Sequence, residues 1–158
     1  MPVATELRVL PALELTFPVG LPGFKGARQF RLEPLGDGVT LNPFGRLIAL
    51  EPVTLADGSL AERVRLIVAA PGLLWPDYTV EIDDATEVLL ELDEARDAAA
   101  LVVVTLGHSI ETSTANLFAP LVFNISKHLA TQMVPMGSLD EQGRWPIHAP
   151  LPLVSPGS

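Results

Sequence analysis

No cysteine occurs among the 158 residues, which removes disulfides, thiolate nucleophiles, zinc–cysteine sites and iron–sulfur clusters at once and suits a cytoplasmic chain. Cations are scarce as well. Ten Lys and Arg stand against nineteen Asp and Glu, a net charge of −9, whereas gripping a phosphate backbone takes clustered cations. Direct binding to nucleic acid is therefore not expected, and a basic or polar partner fits better. Long apolar runs are missing too. The longest, Ala98 to Val104, continued by Thr105 and Leu106, falls far short of the ~20 residues that a membrane-spanning helix requires. The start, Met1-Pro2-Val3-Ala4-Thr5-Glu6, has no cationic stretch leading into an apolar one, so a secretory leader is not expected and the mature chain should begin near Met1. The sequon Asn124-Ile125-Ser126 then has no consequence, because only a secreted chain is modified there.

What is present points to a globular β protein. With 48% of residues hydrophobic, 18% charged and a mean hydropathy of +0.36, the chain is neither a disordered tail nor a coiled-coil rod. Its length fits one domain, since domains cluster at roughly 100–150 residues, with a core over about residues 13–151 and looser termini. Fifteen prolines and twelve glycines are spread along it, which predicts many short elements joined by tight turns. Leu13, Leu15 and Phe17 alternate with Glu14 and Thr16, and Phe30 and Leu32 with Gln29, Arg31 and Glu33; that period of two marks half-buried strands. Further strands are expected at Arg46–Leu50, Val64–Ala69, Tyr78–Ile82, Ala100–Leu106, Leu121–Asn124 and His128–Val134, rich in Val, Ile, Leu and Thr. Asp84 to Leu92 reads instead as a short amphipathic helix, with Asp84 as cap, Glu87 completing a capping box, and Val88, Leu89 and Leu92 on the apolar face. The expected fold is mainly β, a small antiparallel barrel-like sheet with one or two short helices at one end, because many short strands leave raw edges unless the sheet curls. The uniformly apolar Ala98–Val104 is expected at its centre, with Val103 among the positions least tolerant of charge.

Little in the sequence points to catalysis. His108, His128 and His148 lie about twenty residues apart with no ligand-type spacing, so no metal site is expected. Gly20, Gly23 and Gly26 lack both the Lys-Ser/Thr pair of a phosphate loop and the G-x-G of a dinucleotide loop; no cofactor is expected. None of the serines sits in a G-x-S-x-G elbow. Asp77, Glu81, Asp83 and Asp84 are close enough to form a paired-carboxylate site of the glycosidase kind. From Asp77 to Asp97, however, nine acids face one base, Arg96. A run so dense is either a solvated face or an electrostatic docking surface that steers a basic partner. Two segments can hold contact anchors. Pro71 to Tyr78 interleaves Leu74, Trp75 and Tyr78 with prolines, and Thr114 to Asn124 frames an apolar stretch with Asn116 and Asn124. The alternatives are that the aromatics plug the core and that the asparagines satisfy turn backbones.

At these segments the chain resembles a known family, the bacterial flagellar assembly factor FliW. The resemblance rests on Phe17-Pro18-Val19-Gly20-Leu21-Pro22-Gly23-Phe24, on Phe30-Arg31-Leu32-Glu33-Pro34-Leu35, on Pro71 to Glu81, and on Thr114-Ala115-Asn116-Leu117-Phe118-Ala119-Pro120-Leu121-Val122-Phe123-Asn124, in order over residues 13 to 151. It implies a small β-barrel-like fold, no catalysis, and a cytoplasmic monomer that binds flagellin. It also implies binding to the RNA-binding translational regulator CsrA, relieving repression of flagellin mRNA. The chain departs from the family pattern at Gly45-Arg46, at a longer Pro52–Arg63 connection with Ala56-Asp57-Gly58-Ser59 as its tip, and at Trp145-Pro146-Ile147-His148, where a titratable group replaces a permanent cation. The expected partner-binding positions are Leu74, Trp75, Asp77 and Tyr78, then Asn116, Phe118 and Asn124, supported by the acidic face Asp83, Asp84 and Glu87. The competing readings are a barrel holding an apolar small molecule and, further off, a hydrolase built on the Asp77–Asp84 acids.

Overall fold

The computed structural model describes residues 2–4, 10–36, 42–133 and 146–152. In chain order its elements begin with β1 (Pro2–Ala4), β2 (Leu13–Thr16), β3 (Gln29–Pro34) and β4 (Phe44–Ala49), then the hairpin β5 (Val53–Thr54) and β6 (Leu60–Ala61), and β7 (Arg65–Ala69). There follow α1 (Pro71–Leu74), β8 (Thr79–Glu81), α2 (Asp84–Leu89) and the long β9 (Ala98–Thr105). After these come β10 (Thr114–Ala115), β11 (Leu121–Asn124), β12 (Ala130–Gln132) and β13 (Ala149–Pro150).

Alternation sets the register of the main sheet. Leu15 stands opposite Phe30, Phe30 opposite Ala49, and Leu32 opposite Leu47, so the inward residues of β2, β3 and β4 fall on one face. The antiparallel order is β12-β11-β9-β7-β4-β3-β2, with β10 also on β9 and β13 on β10. This sheet curls without closing into a barrel. Its margins β2 and β12 meet at a parallel bridge between Thr16 and Leu129, where the Thr16 N–H donates to the His128 carbonyl at 2.9 Å. The segment from Pro18 to Phe24 makes two successive turns, with Gly20 and Gly23 at φ of 76° and 85°, values that side-chain-bearing residues rarely adopt. The tip at Asp57-Gly58-Ser59 is held by the Asp57 carboxylate, which accepts from the Ser59 N–H and hydroxyl.

Around β9 both faces of the sheet are covered. On one, Phe17, Phe30 and Phe123 are fully buried, with the rings of Phe17 and Phe30 5.0 Å apart and edge to face. On the other, Ala98, Ala100, Val102 and Val104 lie beneath Tyr78, Val80, Ile82, Leu90 and Leu92, supplied by β8, α2 and the residues that follow it. Strand β9 explains its own composition, because Ala99 and Leu101 belong to the first cluster while its even-numbered residues belong to the second. A strand buried on both sides has no polar positions to alternate with. Val103 is a correction: it is only partly buried, at the rim of the first cluster, whereas Leu101 and Val102 are both at 0% exposure, so a buried charge is expected to cost more there.

Helix α2 also departs from the expected register. Asp83, not Asp84, adopts extended backbone and caps it, accepting from the Thr86 N–H at 2.7 Å. The helix ends at Leu89, and Glu91 turns left-handed at φ 53°. The Leu92 N–H then donates to the Glu87 carbonyl and the Glu91 N–H to that of Val88, the double closure that terminates many helices. That reversal sends Leu90 and Leu92 inward and leaves Val88 77% exposed, against the expected apolar role for Val88.

Candidate functional site

The segment before β8 is a short, tightly tied structure. Pro71 opens α1, where its missing N–H costs nothing. The Trp75 N–H closes the helix on the Pro71 carbonyl at 2.7 Å, and the Tyr78 N–H turns back to the Trp75 carbonyl at 2.9 Å. Leu74 and Trp75 are half-buried against the second cluster, and Asp77 is exposed. Tyr78 is 2% exposed, its hydroxyl donates to the Leu117 carbonyl at 2.7 Å, and burial pushes the phenol pKa up. Its side chain is an internal pin, so the contact role expected of it is corrected.

That pin ties the Trp75 segment to the turn after β10. There the Asn116 side-chain oxygen accepts from the N–H groups of Phe118 and Ala119 at 3.1 and 3.0 Å, which shapes the turn and leaves Phe118 half-buried. Asn124 does more. Its amide donates to the carbonyls of Leu90 and Glu91 at 2.9 and 3.2 Å, and its oxygen accepts from the N–H groups of Ser126 and Lys127 at 2.9 and 3.1 Å. One side chain thereby caps the end of α2 and shapes the β11–β12 loop. At 1% exposure, Asn124 is interior, and the contact role expected of it is likewise corrected.

The acidic positions stand on the outside of this cap. Asp83 and Asp84 are exposed and Glu87 is half-buried. Acids near the start of α2 complement the positive end of its dipole. Farther along, Lys127 lies 3.4 Å from Glu91 and 3.9 Å from Asp93, and Arg96 pairs with Glu94. Among the described residues no cation pairs with Asp77, Asp83 or Asp84, so their charges are not offset by a paired base. The Tyr78–Leu117 bond thus links the segment of Leu74, Trp75 and Asp77 to the turn that carries Phe118, while Asp83, Asp84 and Glu87 cap and begin the helix whose end packs in the same cluster.

A second surface feature escaped the sequence reading. A hollow of about 430 Å³ is lined by Phe24 of the turn segment, Val103 and Val104 of β9, Asn116, Ile147 and His148, among others. Only Asn116 had been singled out as a site residue. The turn-rich segment around Phe24 was the available signal, but nothing local says which strand it will cover. Trp145, of the departing motif Trp145-Pro146-Ile147-His148, lies outside the described residues.

The rival readings find little support. Fully buried Phe17, Phe30, Phe123, Leu32 and Leu101 occupy the interior where an apolar ligand would have to sit. The acids at 77, 81, 83 and 84 line neither this hollow nor the one described below. Among the described residues no group of three or more His, Asp or Glu is placed to hold a metal, and no helix is long and apolar enough to cross a membrane.

The chain's relatives give these features a context. The family model described as FliW protein matches residues 3–151. The flagellar assembly factor FliW of Bacillus licheniformis is 36% identical over 129 residues, 82% of each chain. That of Bacillus subtilis is 32% identical over 120 residues, 76% of each. A crystal structure of the flagellar assembly factor FliW superposes with a TM-score of 0.69 at 26% identity, covering 87% of this chain and 84% of that one. A fold, a core and a motif series that agree over this much of the chain place it in the FliW family of flagellar assembly factors.

Proposed function

We propose that this chain is a cytoplasmic, monomeric, non-enzymatic regulator that binds flagellin and, when flagellin has been exported, binds CsrA and relieves its repression of flagellin mRNA. The observation that carries the reading is the surface of this layer: Leu74, Trp75 and Phe118 are only half-buried, and Asp77, Asp83 and Asp84 are exposed with no pairing cation among the described residues. Partly exposed aromatics are effective contact anchors. A single-sign acidic surface attracts a basic RNA-binding protein and repels the phosphates it would otherwise hold. The coupling needed is modest, about 1–3 kcal/mol, which a few like charges near a shared surface supply.

Calorimetric titration with purified CsrA and flagellin from the same organism tests the reading. Binding of both is the expected result; silence from both sinks it. Trp75→Ala should leave the thermal transition in place while weakening partner binding, and unchanged affinity for both partners removes the anchor role. Raising salt from low to about twice physiological strength should weaken CsrA antagonism more than complex formation, because screening over a Debye length of ~8 Å acts on the charge term. Equal loss of both counts against the electrostatic part.

A further inference from the structure

Four of this chain's few cations gather on one face. Arg31, Arg46, Arg63 and Arg65, four of the ten, line one open hollow of about 450 Å³ together with Glu33, Glu62, Ile48 and Leu50. The register explains the gathering. Arg31 stands opposite Ile48, Ile48 opposite Arg65, and Glu33 opposite Arg46 across β3, β4 and β7. Leu32, Leu47 and Val68 of the same strands fill the core, so the alternate residues face outward. Four positive charges against two negative make this face net basic in a protein of charge −9.

Its charges are also loosely committed. Glu33 is shared between Arg31 at 3.5 Å and Arg46 at 3.9 Å, partly exposed contacts of a kind worth little in water. Among the described residues Arg63 and Arg65 form no ion pair, and the Arg46 Nε is shielded from solvent without a hydrogen-bond partner. Half-buried Ile48 and exposed Leu50 line the same hollow.

The shape of this patch selects its ligand class. Neighbouring strands are about 4.8 Å apart, so the Arg31 and Arg65 backbones flank Ile48 at a separation of about 10 Å. Arg31 and Arg46 already converge on one carboxylate, that of Glu33, the planar acceptor that a guanidinium fork matches. Carboxylates on either side of an apolar side chain match the Arg31–Ile48–Arg65 register and the aliphatic floor of Ile48 and Leu50. We propose that the β3–β4–β7 face docks an acidic peptide segment of a partner protein, its carboxylates on Arg31, Arg46, Arg63 and Arg65 and an apolar side chain on Ile48 and Leu50. None of these residues belongs to the acidic cap, so the inference does not rest on the function proposed above.

The test uses the full chain and a fluorescently labelled peptide, Glu-Asp-Leu-Glu-Glu, followed by anisotropy at low ionic strength. Binding is expected to weaken about tenfold in the Arg63→Glu, Arg65→Glu double variant, and about threefold when the peptide leucine becomes serine or Leu50 becomes Ser. Asp83→Lys with Asp84→Lys should not weaken it. If the double variant loses its thermal transition, Arg63→Glu alone, in the loop ahead of β7, gives the same reading. Absence of binding at low salt, or undiminished binding to the folded arginine variants, overturns the proposal. So does inorganic triphosphate competing as well as the peptide, which would mark a compact-anion site. Self-association in sedimentation that Arg63→Glu abolishes overturns it as well, since the occupant would then be a second copy.

Discussion

The two sides of the main sheet are held in different ways. On the side of Phe17, Phe30 and Phe123 the layer is built from the alternating residues of paired strands, and cohesion comes from filled volume. On the other side the sheet offers mostly small residues, Ala98, Ala100, Val102, Val104 and Ala115, and apart from the short β1–β8 ladder the covering layer is helix, turn and loop. Such a layer brings backbone groups that no ladder satisfies, and four polar side chains meet them: Asp83 at the start of α2, Asn124 at its end, Tyr78 on Leu117, and Asn116 within its turn. One layer is specified by shape and the other by hydrogen bonds. The exposed features of the candidate site all ride on the second.

Substitutions should separate the two modes. The largest loss is expected from Phe30→Ala, about 3–5 kcal/mol by chemical denaturation, since transfer and cavity terms add; a loss below about 1 kcal/mol would deny that volume holds this layer. Asn124→Ala should cost about 2–3 kcal/mol although it removes little apolar area, because it leaves the buried Leu90 carbonyl unpaired. Hydrogen exchange should accelerate in α2 and the β11–β12 loop while β2–β4 stay protected. Asp83→Ala should cost about 1 kcal/mol, as loss of a helix cap does, with Asp83→Ser restoring most of it. The smallest effect concerns an exposed polar tie on the volume-filled side. The Glu51 carboxylate accepts from the N–H groups of Arg28 and Gln29 at 2.8 and 2.9 Å, which holds its pKa below the ordinary value. A depressed acid stabilises the fold above its unfolded pKa and loses that contribution as pH falls through the folded value. The parent chain should therefore lose more stability than Glu51→Gln on going from about pH 5 to about pH 3.

The same division governs what could be read from the sequence. The volume-filled layer announces itself by period, so the strands around Leu15, Phe30, Leu47 and Phe123 were legible to within a residue or two. The double burial of β9 was legible from its lack of polar residues. Two-residue strands such as β10 and β13 carry no period, and β10 pairs with β13 across more than thirty residues of chain. In the hydrogen-bonded layer, residue types were legible and partners were not. That Asn116 and Asn124 serve turns follows from their chemistry, but that Asn124 also closes a helix thirty-three residues upstream depends on where α2 lands. Asp83 and Asp84 are equally good caps by type, and only the backbone distinguishes them. Trp75 was recognisable as an anchor or a plug, and half-burial leaves it with both an inner and an outer side.

The unclosed seam has a consequence for solubility. A sheet with unpaired margins invites a foreign strand to add on and propagate into insoluble material. Here the terminal strands β2, β12 and β13 are only four, three and two residues long, and Thr16 already donates its N–H across the gap between the first two. An intruding segment would find too few vacant donors and acceptors to compete with water. The molecule can thus keep a gap in its wall, at the very place where the Pro18–Phe24 turns emerge, without becoming a template for its own precipitation.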